Sequence, residues 1–126
     1  MMLQEIYRQE PWKMLIGCIL LNQTTRKQVD RVREELFSLW PDPLEMSQAE
    51  PEAVSEVIRS LGFYNKRAKT LIKFSQEWTE KDWTEPIELH GIGKYAQDSW
   101  EIFQKNNFDV QPTDKELIGY LRSLNK

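Results

Sequence analysis

The segment Leu89-His90-Gly91-Ile92-Gly93-Lys94-Tyr95, followed after an amphipathic run by Asp114, holds the residues best suited to chemistry. Two glycines around one apolar residue permit a turn too tight for side chains, at φ values that cost only glycine little. The amides of such a turn point outward at the start of the next helix, where free N–H groups and partial positive charge attract phosphate. One helix and a short return loop fit between Gly93 and Asp114, so the chain brings a carboxylate back beside that phosphate site. A carboxylate there can stabilise developing positive charge, or orient and deprotonate a water. Asp114 can equally serve the fold alone, since Thr113 and Glu116 can form a capping box and acids suit a first helical turn.

The elements that must position these groups read as helices. Pro11 suits a first helical position, and Trp12, Leu15, Ile16, Ile19 and Leu20 recur on one face. Val29, Val32, Leu36 and Leu39 repeat the pattern in a helix ended by Pro41-Asp42-Pro43. Ser47 and Glu50 read as a capping box ahead of Val54, Val57, Ile58 and Leu61, with Gly62 just past the end. Ala68, Leu71, Ile72 and Trp78 face inward on the next helix. A short helix follows Pro86, then the Gly91–Gly93 hairpin and a helix over about residues 92–105 that offers Trp100 and Phe103 to the core. Asn106-Asn107 breaks it, and Thr113 opens a last helix with Leu117, Tyr120, Leu121 and Leu124 on one stripe. No convincing strand or internal repeat is present, so the expected class is all-α.

At 126 residues the chain suits one domain, 1–126, with one core and the hairpin at about 86–96. The lone Cys18 lies in an apolar run, suits a small core position, and cannot pair within the chain or supply the several thiolates of an iron–sulfur cluster. No apolar stretch reaches the roughly 18 residues of a membrane span, and a soluble protein in a reducing compartment is expected. The net charge of −3 argues against indiscriminate nucleic-acid binding. Its distribution is uneven. Arg59, Lys66, Arg67, Lys69 and Lys73 have no acid among them, whereas Glu45 to Glu56 is acidic. The basic run is either a solvated helix face or a surface that tracks phosphates. His90 is the sole histidine and has no partner set for a transition metal, so no metal site is expected.

Gln4-Glu5-Ile6, Pro11-Trp12-Lys13-Met14-Leu15-Ile16, Leu21-Asn22, Leu61-Gly62-Phe63-Tyr64, Arg67-Ala68-Lys69-Thr70, Lys73-Phe74-Ser75 and Pro86 through Tyr95 resemble, in order, the helix-hairpin-helix (HhH-GPD) DNA glycosylase superfamily. Within it they look most like the catalytic domain of the methyl-CpG-binding-domain-type thymine glycosylase. The resemblance implies an all-α helix-hairpin-helix glycosylase fold without the iron–sulfur cluster that endonuclease III relatives often carry. It also implies that Asp114 is catalytic, stabilising the oxocarbenium-like sugar left when an N-glycosidic bond breaks. Tyr95 stands where bifunctional relatives have the Lys that forms a Schiff base. Lys94 is one helical step, about 100°, away and suits phosphate better. Gln4 and Tyr95 would line the base pocket, although Tyr95 taken alone is equally an ordinary half-buried aromatic. Gln23 and Phe63 match the family's inserting residues, and Phe63 taken alone either packs inward or wedges between bases. His90, Gly91, Ile92, Gly93 and Lys94 would hold phosphate, and Lys66, Arg67 and Lys69 the DNA backbone. The chain departs from the thymine glycosylase at Gln23, where that branch carries Arg, and at Lys115-Glu116 after the catalytic Asp.

The expectation is a monofunctional glycosylase of base excision repair that flips thymine or uracil out of a pair with guanine and hydrolyses it away. Two alternatives stay open: a glycosylase of this fold for an alkylated purine or oxidised pyrimidine, and a non-catalytic helix-hairpin-helix module. The expected partner is double-stranded DNA with a mismatched or damaged base, bound by a monomer, in the nucleus of a eukaryote or otherwise in the cytoplasm or nucleoid. No cofactor is expected to be required, beyond a possible monovalent cation, sodium or potassium, on the hairpin carbonyls.

Overall fold

A computed structural model describes residues 1–125. Its helices are α1 (Leu3–Ile6), α2 (Pro11–Leu20), α3 (Arg26–Leu39), α4 (Pro43–Ser47), α5 (Pro51–Val57), α6 (Tyr64–Glu80), α7 (Lys94–Phe103) and α8 (Lys115–Ser123), with 3₁₀ turns at Arg59–Leu61 and Pro86–Glu88. The all-α expectation holds, and no strand occurs among the described residues.

α2 is the centre. Pro11 presets its first turn, and Trp12 and every residue from Met14 to Leu20 are buried, so this helix is wrapped on nearly all sides. Gly17 lets α1 lie close: a Cβ there would meet Leu3 Cδ2 at 2.6 Å. That approach carries Gln4 into the interior. Trp12 Nε1 donates to Ser75 Oγ at 3.1 Å, and Ser75 Oγ donates to Leu71 O at 2.8 Å, so the polar atoms between α2 and α6 are satisfied. α7 crosses both α1 and α2, burying Ala96, Asp98, Ser99, Ile102 and Phe103.

Three local expectations are corrected. Ser47 and Glu50 form no capping box. Ser47 ends α4, its hydroxyl donating to Leu44 O at 2.6 Å, and the caps are Asp42 for α4 and, without a side-chain bond, Glu50 for α5. Pro43 and Pro51 each preset a helix start, which splits the segment in two. Leu39 is exposed because α3 overruns the core in its last turn, and Trp40 packs there instead. Leu124 is likewise exposed at the end of α8, where Tyr120 packs on Phe103 with ring centroids 4.7 Å apart. The last helix also starts one residue later than the Thr113 cap implies, with Asp114 itself as N-cap.

Candidate active site

α1, the α2–α3 turn, the start of α6, the hairpin and the start of α8 enclose one cleft of about 1230 Å³, open on one side. Gln4, Gln23, Phe63, Arg67, Tyr95 and Asp114 all line it.

Its floor is a polar cluster whose proton positions are dictated by the neighbours. Ser99 Oγ lies 2.9 Å from Tyr95 O, one helical turn back, and a carbonyl can only accept, so the hydroxyl donates there. The adjacent Cys18 thiol is a far weaker acceptor. Ser99 Oγ must then accept from Gln4, at 3.0 Å, which identifies that amide atom as Nε2. The second Nε2 hydrogen goes to Tyr95 Oη at 2.7 Å. Two things face the cleft as a result. Gln4 Oε1, without a donor among the described residues, is an acceptor, and the Tyr95 hydroxyl, already accepting from Gln4, has its proton free to donate. Burial chiefly raises the Tyr95 pKa, with nearby acidic groups adding to it, so the phenol stays protonated. Burial likewise pushes the Cys18 thiol up to about 12, leaving it inert as a nucleophile.

Asp114 sits across from this floor. Its Oδ2 accepts from Leu117 N at 3.0 Å, capping α8, while Oδ1 takes no hydrogen bond among the described residues. Lys94 Nζ pairs with Asp98 Oδ2 at 3.0 Å and donates to Gln111 O at 3.2 Å, so it ties the loop before Asp114 to α7.

At the hairpin, Gly91 has φ +85° and a Cβ would strike Thr70 Cγ2 at 2.7 Å, so glycine is required there. Gly93 differs from expectation. Its φ of −109° suits any residue, and a Cβ would meet nothing within 4 Å. The protein itself gives no reason for glycine at this point, which leaves open space beside the first turn of α7. No side chain caps that helix, so its leading amides are available to a ligand. Ile92 is buried and anchors the turn, whereas His90 is exposed, its amide donating to Glu77 Oε1 at 2.9 Å. Among the described residues no three His, Cys, Asp or Glu side chains are grouped to hold a metal.

Gln23 and Phe63 are exposed on the rim, both at positive φ, 60° and 46°. Lys66 and Lys69 are exposed nearby. Arg67 departs from its expected place on the surface: it is buried, donating through Nε to Gly62 O and through Nη1 to Asn22 O, each at 2.8 Å. A charged residue in a basic run reads as solvated, and nothing in its spacing signals these two carbonyls. Ser99 likewise carries no signal in the sequence beyond its place four residues after Tyr95 on the same helical face.

A buried α2 crossed by α7, with a glycine hairpin leading into the uncapped start of α7 and a carboxylate lining the same cleft, is the arrangement of a family of DNA repair proteins. Residues 16–122 match the model of the HhH-GPD superfamily of base excision DNA repair proteins, and the chain belongs to that superfamily. It is 38% identical over 120 residues to the methyl-CpG-binding domain protein 4-like protein of Arabidopsis thaliana, covering 94% of this chain and 27% of that protein. It is 32% identical over 94 residues to the thymine/uracil-DNA glycosylase of Pyrobaculum aerophilum, covering 69% of this chain and 41% of the relative. Among solved structures, a thermostable thymine-DNA glycosylase aligns with TM-score 0.73 at 20% identity over 80% of this chain and 51% of the other. A trapped endonuclease III–DNA covalent intermediate aligns with TM-score 0.67 at 26% identity, over 75% and 48%. The chain thus spans between about a quarter and a half of the length of these relatives.

Proposed function

We propose that this chain is a monofunctional DNA N-glycosylase that removes thymine or uracil opposite guanine. The observation that carries this reading is the floor of the cleft, with an acceptor on Gln4 and a donor on Tyr95 opposite a carboxylate oxygen that has no protein partner. A flipped uracil or thymine offers N3–H to Gln4 Oε1 and its neighbouring carbonyl to the Tyr95 hydroxyl. Cytosine in the same frame presents the reverse, a lone pair at N3 and an amine beside it. Asp114 Oδ1 then stabilises the positive sugar as the C1′–N bond lengthens and helps orient the water that adds to C1′. The products are the free base and an intact abasic strand.

No amine stands at Tyr95 to form a Schiff base, and the neighbouring Lys94 ammonium is engaged by Asp98 and Gln111. The leading amides of α7 and the open space at Gly93 suit a backbone phosphate, with Lys66 and Lys69 following the strand. Gln23 and Phe63 enter the stack left by the flipped base. The carbonyls of His90, Gly91 and Ile92 receive no donor among the described residues, and such oxygens fit a monovalent cation shared with phosphate.

Single-turnover reactions on duplexes with one G·U, G·T, A·U or G·C pair test the reading, with and without hot alkali. Strand breaks at G·U and G·T that need alkali are expected. Breaks without alkali mean lyase chemistry. Binding with no product on any duplex favours another lesion or a non-catalytic module.

A further inference from the structure

We infer that Arg67 is a positioning residue that joins the two rim loops into one inserting unit; this rests on the glycosylase reading above for what the loops insert into. Only three non-glycine residues among those described have positive φ, and two of them, Gln23 and Phe63, lie on this rim. Such backbone persists only where the surroundings over-determine it. One guanidinium provides that here, taking Gly62 O, immediately before Phe63, and Asn22 O, immediately before Gln23, both at 2.8 Å. The Arg67 guanidinium carbon also lies 5.9 Å from the centre of the Phe63 ring, within reach of a cation–π contact to that exposed side chain.

The chemistry selects arginine. Two carbonyls in different loops need donors in a fixed fork, which a lysine ammonium on a flexible stem does not supply. Arg67 has no carboxylate partner among the described ion pairs, so its charge is buried on carbonyls alone, an arrangement that stability by itself does not favour. Unstacking a base pair needs both inserting groups at once, one filling the gap and one holding the neighbouring step apart. Loops free to move separately would lose that simultaneity.

The test uses a G·U duplex with 2-aminopurine next to the uracil, at saturating protein, comparing wild type with R67K, R67M and F63A. Fluorescence reports unstacking whether or not excision follows, and thermal denaturation gives the folded fraction of each variant. The expected result is that R67K and R67M, corrected for folded fraction, lose at least about five-fold of the fluorescence rise, as F63A does. Excision of uracil from single-stranded DNA, which needs no unstacking, falls less than about three-fold in R67K and R67M. A full rise in both Arg67 variants overturns the inference, as does an equal loss on single-stranded and duplex DNA. A full rise in R67K alone means that charge rather than the fork matters, which also overturns it. A wild-type rise without excision sinks the glycosylase reading and leaves the Arg67 comparison intact, whereas excision without any wild-type rise sinks the inserting unit.

Discussion

One oxygen of Asp114 holds the start of α8 and the other takes no hydrogen bond among the described residues, in a residue that lines the cleft, so substitutions can separate the two roles. Asn caps a helix as well as Asp does, whereas Ala forfeits the cap at a cost of about 1 kcal/mol. D114N is therefore expected to melt near wild type yet excise at least about 10²-fold more slowly, and D114A to lose both stability and activity. Wild-type excision by D114N in single-turnover assays would remove Asp114 from the chemistry. Ser99 allows a sharper test. In S99A nothing compels Gln4 to keep Nε2 inward, and the amide can turn over. The expected outcome is a fall of about ten-fold in the ratio of G·U to G·C excision, corresponding to about 1.4 kcal/mol, read from single-turnover rates on both duplexes. An unchanged ratio would mean that another group sets the polarity. Asp114 was legible from its spacing after the hairpin as well as from the resemblance, whereas Gln4 and Tyr95 were marked by the resemblance alone. Arg67 was legible as a charge but not in its direction, since side-chain burial depends on carbonyls that arrive from two distant loops.

At the scale of elements, the hairpin glycines make opposite predictions. G91A must place a Cβ against Thr70 at positive φ, so it is expected to cost at least about 1 kcal/mol, measured by denaturant titration. G93A meets no protein atom at an ordinary φ, so its stability should be equal or up to about 1 kcal/mol greater. Its affinity for duplex DNA should nonetheless fall, because the added methyl occupies space left for phosphate. Unaltered affinity in G93A would place the phosphate elsewhere. The helices were legible from apolar periodicity, most plainly in α3 and α6, whereas α2 is buried all round rather than on the one face expected and α7 runs from Lys94 to Phe103, shorter than the expected 92–105. Their joins were less so. Pro43 and Pro51 start helices that compete with the Ser47–Glu50 pattern, and the sequence does not rank those local signals against each other.

At the scale of the whole molecule, two groups at the cleft floor, the buried Cys18 and the half-buried Tyr95, couple folding to alkaline pH. The Cys18 thiol is raised from its ordinary 9.0 to about 12 and the Tyr95 phenol is raised too, both mainly by burial. For a raised acid the folded state retains its proton while the unfolded chain loses it. Their effect is therefore absent below about pH 9, and stability falls as pH rises through the window up to about 12. Each group contributes a slope of about 1.4 kcal/mol per pH unit where only the unfolded form ionises. Urea titrations from pH 8 to 11 should show this decline, and C18A should remove the part that begins first. A C18A slope identical to wild type would exclude the thiol as its source.

The Ser99–Gln4–Tyr95 chain carries a further implication. Shape alone distinguishes uracil from cytosine poorly, because the two rings have nearly the same outline; what distinguishes them is N3–H beside a carbonyl in one against a bare N3 beside an amine in the other. Under the proposed activity that information is stored one layer behind the surface the base touches, in a serine no substrate reaches. Ordinary cytosines vastly outnumber their deaminated form along a genome, so a lapse at this hydroxyl would turn a guardian of sequence into a mutator. Selection on such a protein would then act on fidelity at Ser99 before it acts on speed at Asp114.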